Sequence, residues 1–380
     1  MIIHLIAAAR PNFMKIAPLY HALKKKAWAE CFVVHTGQHY DLNMSDAFFQ
    51  DLKLPEPDIH LDIGSGSHAE QTGQVMIAYE KVLFKTRPDM VIVVGDVNST
   101  LACTLAATKL SYDPIKNSKF KIQDCGGRRP LVAHLEAGLR SFDRTMPEEI
   151  NRIVTDSLAD ILWTPSPDAD QNLLREGIPA EKIIRVGNIM IDSLEMLREK
   201  ISKAAAYREF DLGPNHYGLV TLHRPSNVDD PVALGKLCQV LRLISKKIPL
   251  IFPIHPRTRR NLEKQGLLPL LLDDPQLFGI EPLGYMRFMN LIFNSSFVIT
   301  DSGGIQEETS YLGIPCLTVR PNTERPITIS QGTNRLCAIE ELEKQAEAII
   351  SGKFADKQEI ELWDGHTADR VVKSIEKLMH

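Results

Sequence analysis

The sequence predicts an α/β protein made of two doubly wound parallel sheets, Rossmann-like in each half. Three observations carry this. Short, continuously apolar runs alternate with longer amphipathic segments. Strands that are apolar on both faces belong to parallel sheets covered by helices, and the alternation implies βαβ units with right-handed crossovers. The pattern then restarts past Asn188. Finally, 380 residues exceed the ~150 of one ordinary domain, and each half is long enough to bury a core.

In chain order, Ile2–Ala8 predicts a strand and about Phe13 to Lys26 a helix, apolar at Phe13, Ile16, Ala17, Leu19, Tyr20 and Leu23. Strands are predicted at Cys31–His35, Met90–Val94 and Leu131–Leu135. Helices are predicted at Ser67–Phe84, Thr100–Leu110 and Glu149–Ala159. The polar segment 111–129, rich in Lys, Asp and Gly, reads as a surface excursion. In the second half, strands Gly218–Leu222 and Leu250–Ile254 flank a helix at Val232–Lys246. Strands Phe297–Thr300 and Cys316–Val319 flank a helix at Gly304–Leu312. The last segment, Ala368–Met379, is helical with no strand after it. The halves join near Val186–Asn188, giving one domain of residues 1–186 plus a C-terminal helix from about 364 to 380, and another of residues 187–363.

Composition narrows the function classes. Apolar residues make up 44% and charged residues 24%, which excludes disordered, collagen-like and coiled-coil chains. With 44 Lys+Arg against 48 Asp+Glu the net charge is -4, without the basic footprint of a nucleic-acid binder. No apolar run reaches the ~20 residues that span a bilayer. Ile2–Ala9 has no basic residue ahead of it and runs into Arg10-Pro11, so a first buried strand fits better than a signal segment. The six cysteines are scattered without a Cys-x-x-Cys pair, which predicts reduced thiols and a cytoplasmic protein. No His-Glu-x-x-His motif, EF-hand loop or Cys/His cluster is present, so no metal site is expected.

Open parallel sheets bind ligands beyond the carboxyl ends of their strands, and two facing sheets make a cleft. In the second half, Phe297–Thr300 runs into Asp301-Ser302-Gly303-Gly304 and then a helix. Glycines admit a ligand close to the backbone, and the helix N-terminus suits a phosphate. Glu308, one turn in, is placed to hold ribose hydroxyls; the plain alternative is a tight strand-to-helix turn. His255 and Arg257 follow a strand, and Arg325 follows Leu317–Arg320; arginine neutralises a diphosphate through forked hydrogen bonds. Phe288 is placed to stack on a base, or to serve the core.

The first half presents carboxylates instead. Its first strand ends at Arg10, with Lys15 one helical turn on; Met90–Val94 ends at Gly95-Asp96; Leu131–Leu135 ends at Glu136; and Glu148 opens the next helix. Each carboxylate alone reads equally as a helix cap or a helix-dipole partner. Three at strand ends facing one cleft are better explained as general acid–base groups. His223, ending Gly218–Leu222, faces the same cleft in this reading and is suited to donate to a leaving phosphate oxygen, whereas His134, inside its strand, reads as structural.

These residues sit in a longer pattern: ARPNFMKIAPL (9–19), HTGQHYD (35–41), VVGDVNST (93–100), HLEAGLRS (134–141), PEEINR (147–152), VGNIMIDSL (186–194), VTLHRPSN (220–227), TDSGGIQEE (300–308), TERP (323–326) and QGTNR (331–335). In these stretches the chain resembles the non-hydrolysing UDP-N-acetylglucosamine 2-epimerases of bacteria and archaea, which have the GT-B fold. The resemblance implies reversible conversion of UDP-GlcNAc to UDP-ManNAc in a homodimer, with no metal, nicotinamide or other cofactor. By matching position it implies that Asp96, Glu136, Glu148 and His223 are catalytic, supported by Arg10 and Lys15. It also implies that Ser302, Gly303, Gly304, Glu308, His255, Phe288 and Arg325 hold UDP.

Two stretches depart from the family pattern. Ala8-Ala9-Arg10-Pro11-Asn12 stands where members commonly have Gly-Thr-Arg-Pro-Glu, and Arg224-Pro225-Ser226-Asn227 where many have a second Arg and a Glu. In many bacterial members substrate also binds an activating site near the Gln-His loop, here Gln38 and His39, and that second segment. The competing expectations are a hydrolysing relative that releases ManNAc, a 2-epimerase for another UDP-2-acetamido sugar such as a diacetamido uronate, a GT-B glycosyltransferase, and a nucleotide-sugar sensor.

Overall fold

The computed structural model describes residues 1–37, 51–110, 129–354 and 358–379; the segment 111–128 and the Gln38–His39 pair lie outside the described residues. The chain divides into two compact units, Met1–Met196 with Glu361–His380, and Leu197–Ile360. Each is built on one parallel sheet.

The first sheet has seven strands: β1 (Ile2–Ala7), β2 (Glu30–His35), β3 (Ile59–His60), β4 (Met90–Val94), β5 (Leu131–Leu135), β6 (Ile161–Thr164) and β7 (Ile183–Arg185), in the order β3-β2-β1-β4-β5-β6-β7. The order reverses between β1 and β4, which pair in parallel with Ile3 opposite Met90. The second sheet holds β8 (Gly218–Thr221), β9 (Leu250–Pro253), β10 (Leu277–Ile280), β11 (Phe297–Thr300), β12 (Cys316–Thr318) and β13 (Asn334–Leu336), in the order β10-β9-β8-β11-β12-β13. Its reversal lies between β8 and β11, with Thr221 opposite Thr300. Ligands of open α/β sheets bind at such switch points.

Every residue of β4, β5 and β11 is buried, as their largely apolar runs imply, His134 of β5 and Thr300 of β11 included. In the first unit Tyr79 and Leu83 from the helix His68–Thr86, and Ala102 and Ala106 from Asn98–Lys109, cover Val91, Val93 and Val132. In the second, Leu234, Leu237 and Leu241 from the helix Pro231–Ser245 pack with Val220, Phe252, Phe297 and Ile299. Strands β3, β6, β7, β10 and β13 were not expected. Four have only two to four residues and sit toward sheet edges, half exposed; β6 is buried but only Ile161–Thr164 long. Runs that short carry no periodicity. The helix Ile189–Lys203, also unexpected, runs from the first unit into the second.

The expected C-terminal helix is present as Thr367–Lys377 and belongs to the first unit. Asp192 is buried and accepts the Thr367 amide on Oδ1 (3.0 Å) and the Ala368 amide on Oδ2 (2.8 Å). It thus caps that helix from a distant part of the chain. Trp163, wholly buried in β6, donates its indole N–H to Ser374 Oγ at 2.8 Å. No helix among the described residues is long and apolar enough to cross a membrane.

Asp192→Ala leaves two buried amides without an acceptor. It is expected to lower stability by about 1–3 kcal/mol in urea denaturation, with Asp192→Asn, which keeps one acceptor, in between.

Candidate active site

In the first unit the strand ends are shaped by unusual backbone. Gly95, after β4, has φ +66°, and Glu136, after β5, has φ +77°. The left-handed region costs a non-glycine residue roughly 1 kcal/mol, and such strain gathers at functional sites. Glu136 is buried and forms an ion pair with Lys15, also buried, one turn into the helix Arg10–Lys24. A side chain at Gly95 would put its Cβ 2.8 Å from Lys15 Nζ and 3.2 Å from Glu136 Oε2, so glycine makes the room for this pair. Asn12 ties the first loop down: its Oδ1 accepts the amides of Ala8 (3.3 Å) and Ala9 (3.0 Å), and its Nδ2 donates to Val94 O (3.1 Å). Arg10 is the first residue of the same helix.

Asp96 does not cap the following helix; Val97 holds that position. Instead Arg152 donates to Asp96 Oδ2 at 2.5 Å, and Asn151 Nδ2 donates to the Asp96 carbonyl at 2.8 Å. Arg152 is buried, and its Nη2 also meets Glu149 Oε2 at 2.7 Å. Glu149 further accepts the amides of Ser141 (3.0 Å) and Phe142 (2.9 Å). Burial works against its charge, but the Ser141 amide and Arg152 overcome it and hold the carboxyl below the usual range. A cavity of about 340 Å³ opens at these strand ends, lined by Asp96 and Glu148 together with Ala9, Thr36, Ser99 and Gln71. Glu148, exposed in the first turn of the helix Pro147–Leu158, thus shares a cavity with Asp96, while Glu136, turned to Lys15, is not part of its lining. His134 is structural as expected: buried in β5, it links Asp156 (2.6 Å) to the Gly95 carbonyl (2.8 Å) and supports the turn that carries Asp96.

In the second unit, β8 and β11 deliver His223 and Asp301 to one point. His223 Nδ1 lies 3.0 Å from Asp301 Oδ1, and the His223 and His255 rings are 5.4 Å apart. His255 is held below its ordinary value by partial burial first and by the neighbouring His223 second. The helix Gly303–Leu312 opens with two glycines after Ser302, whose side chain makes no capping bond, so its first amides are left for an anion. A Cβ at Gly303 would stand 2.7 Å from Glu324 Oε1 and 2.9 Å from Arg325 Nη1; the guanidinium therefore lies directly against this turn. Arg325 is held there by Glu307 (3.0 Å) and Glu324 (2.7 Å), and Arg320 pairs with Glu324 at 2.8 Å. Glu308 is buried and accepts the Tyr285 hydroxyl at 2.9 Å. Burial pushes its carboxyl up to about 7. Phe288 is half-buried on the same helix as Tyr285, Tyr285–Phe293.

Sequence reasoning missed the partners. Asn12, Asp156, Asp301 and Glu324 had no role assigned, and each is paired with a residue far away or across a turn. Glu149 and Arg152 did carry a signal: three apart in PEEINR, they lie on one helix face. Among the described residues no cluster of His, Cys, Asp or Glu is arranged to hold a metal ion.

Arg152→Met leaves Glu149 buried without its cation. A loss of about 3–5 kcal/mol is expected in chemical denaturation, partly restored by adding Glu149→Gln. Glu308 supplies a pH test. Its folded value of about 7 lies above the ordinary 4.5, so its contribution to stability is complete below 4.5 and is lost as pH rises through 7. Glu308→Gln removes that loss. At about pH 8.5 the variant should exceed the parent by roughly 1–3 kcal/mol, and at about pH 5 the two should differ little.

The family model described as UDP-N-acetylglucosamine 2-epimerase matches residues 21–114 and 125–376. The chain is 41% identical to a UDP-N-acetylglucosamine 2-epimerase of Methanocaldococcus jannaschii, over 98% of each chain. It is 40% identical to a UDP-2,3-diacetamido-2,3-dideoxy-D-glucuronate 2-epimerase of Pseudomonas aeruginosa, over 87% of this chain and 86% of that one. The crystal structure of the Methanocaldococcus jannaschii UDP-GlcNAc 2-epimerase in complex with UDP-GlcNAc and UDP superposes with a TM-score of 0.84 at 39% identity, covering 99% of this chain and 100% of that one. Two Rossmann-like units, the GT-B plan, and a match that runs through both of them lead to one conclusion: this chain belongs to the UDP-N-acetylglucosamine 2-epimerase family.

Proposed function

We propose that the protein interconverts UDP-N-acetylglucosamine and UDP-N-acetylmannosamine without releasing free sugar. The observation that carries this reading is the gathering of carboxylates at the strand ends of the first unit: Asp96 and Glu148 on one cavity, and the Glu136–Lys15 pair beside Gly95. In a family whose relatives are named 2-epimerases, such groups have a direct use.

The hydrogen at C2 of the sugar is not next to a carbonyl, so simple removal and return is too costly. Elimination is the accessible route. A carboxylate takes the C2 proton, the C2–H pair becomes the C1=C2 bond of 2-acetamidoglucal, and the C1–O bond breaks with its electrons leaving on UDP. Return of UDP oxygen to C1, with a proton delivered to the other face of C2, completes the inversion. Nothing is oxidised or reduced. Asp96, Glu136 and Glu148, supported by Arg10 and Lys15, supply the acid–base groups. UDP is held through Ser302, Gly303, Gly304, Glu308, His255, Phe288 and Arg325. His223 stabilises the departing diphosphate, whose developing charge needs fixed donors. Family membership extends the reading to a cytoplasmic homodimer.

The similarity to a diacetamidoglucuronate 2-epimerase supports a second reading, in which the same C2 chemistry acts on that sugar. A panel of UDP-sugars incubated in D2O and followed by NMR separates the two. Deuterium at C2 with UDP-ManNAc as product supports the first; exchange only with the uronate supports the second. Free ManNAc with UDP refutes the non-hydrolysing route, and the absence of exchange in every UDP-sugar refutes epimerisation. Asp96→Asn, Glu136→Gln and Glu148→Gln are each expected to lower turnover by roughly hundredfold or more while UDP affinity, read by calorimetry, stays within a few fold. Wild-type turnover in all three would overturn the assignment.

A further inference from the structure

We propose that Asp301 is a positioning residue that fixes the tautomer and direction of the His223 ring, so that Nε2 is the atom His223 presents to a ligand. Asp301 directly follows β11 and is fully buried, whereas the His223 side chain is 38% exposed. An ionised carboxylate only accepts hydrogen bonds. Here it accepts the His223 amide on both oxygens (3.1 Å each), the Arg224 amide (2.9 Å) and Asn227 Nδ2 (3.0 Å) on Oδ2, and stands 3.0 Å from His223 Nδ1. Asn227 is fixed in turn by donating to the Val319 carbonyl at 2.9 Å. With these donors set around it the carboxylate cannot swing away, and it holds both the main chain and the ring of the same residue.

The tautomer follows from the donor count. A bare Nδ1 lone pair 3.0 Å from an anionic oxygen would be repelled, so the hydrogen belongs on Nδ1 and the neutral ring keeps its lone pair on Nε2. His255, the nearest titratable ring, has the opposite arrangement: its Nδ1 accepts the Arg257 amide at 3.2 Å, so its hydrogen sits on Nε2. Two rings whose centroids are 5.4 Å apart thus carry opposite tautomers. The charged groups around His223 are Asp301, the adjacent Arg224, and Arg257 beyond His255. Burial raises the Asp301 carboxyl, but His223, Asn227 and the Arg224 amide together outweigh it and hold the group below its usual range, consistent with a lasting anion. The step from orientation to turnover rests on the epimerase reading; the tautomer does not.

The test uses the full chain with 15N-labelled histidine. Two-bond 1H–15N correlations in mildly alkaline buffer report the tautomer, and His223→Gln identifies the His223 signals. The unaltered protein is expected to show His223 as Nδ1–H, and Asp301→Asn to shift it to a mixture or to Nε2–H. Asp301→Asn should lower kcat for C2 epimerisation by roughly hundredfold or more, with UDP affinity changed only a few fold. His223 found as Nε2–H in the unaltered protein overturns the proposal without any variant, so a variant that fails to fold does not shelter it. Unchanged His223 shifts, or unchanged turnover, in a folded Asp301→Asn protein overturn it as well. If the unaltered protein turns over no UDP-sugar, the epimerase reading fails and the tautomer still decides the role of Asp301.

Discussion

A charge buried at a strand end has to be answered, and that constraint organises both units. Where burial excludes water, a carboxylate needs a cation or several N–H donors. Glu136 has Lys15; Asp96 has Arg152, itself held by Glu149; Asp156 has His134 and Arg140; Glu324 has Arg320 and Arg325. Such pairs add little net stability, because desolvation offsets most of the attraction. What they supply is direction: each side chain is held at one angle.

The same topological device serves two chemistries. In both sheets the strand order reverses beside the first strand, and in both the candidate groups lie near that reversal. In the first unit these are Asp96 after β4, Glu136 after β5, and Glu148 at the start of the next helix. At β8 and β11 they are imidazoles, a glycine turn and a helix N-terminus. The difference lies in the few residues after each strand, not in the scaffold, as expected where function is grafted onto a common fold.

That division explains what could be read in advance. Met90–Val94, Leu131–Leu135 and Phe297–Thr300 appear in the structure as the sequence predicts, because full burial leaves an apolar run with sharp ends. The helices His68–Thr86 and Pro231–Ser245 lie within two residues of their expected ends, since amphipathic periodicity marks them well. Short edge strands such as Ile59–His60 leave no such trace. The strand-end rule picked out Asp96, Glu136, His223 and the Gly303-Gly304 turn. It could not pair them. Lys15 and Glu136 are 121 residues apart, and Asp301 and His223 are 78 apart. Nothing local records such a contact; only the folded register of parallel strands brings these residues together.

The first unit is discontinuous in sequence, and this has a consequence for biosynthesis. The helix Thr367–Lys377 covers Trp163 through Ser374 and is clasped by Asp192, yet it leaves the ribosome after the whole of Leu197–Ile360. While the second unit is being translated, the first has a sheet without its last covering layer, and the carboxylate of Asp192 faces an empty berth. The second unit, contiguous in the chain, is free to fold during that interval. The protein therefore closes its older half last, and a nascent chain is most in need of protection from aggregation just before the helix Thr367–Lys377 emerges.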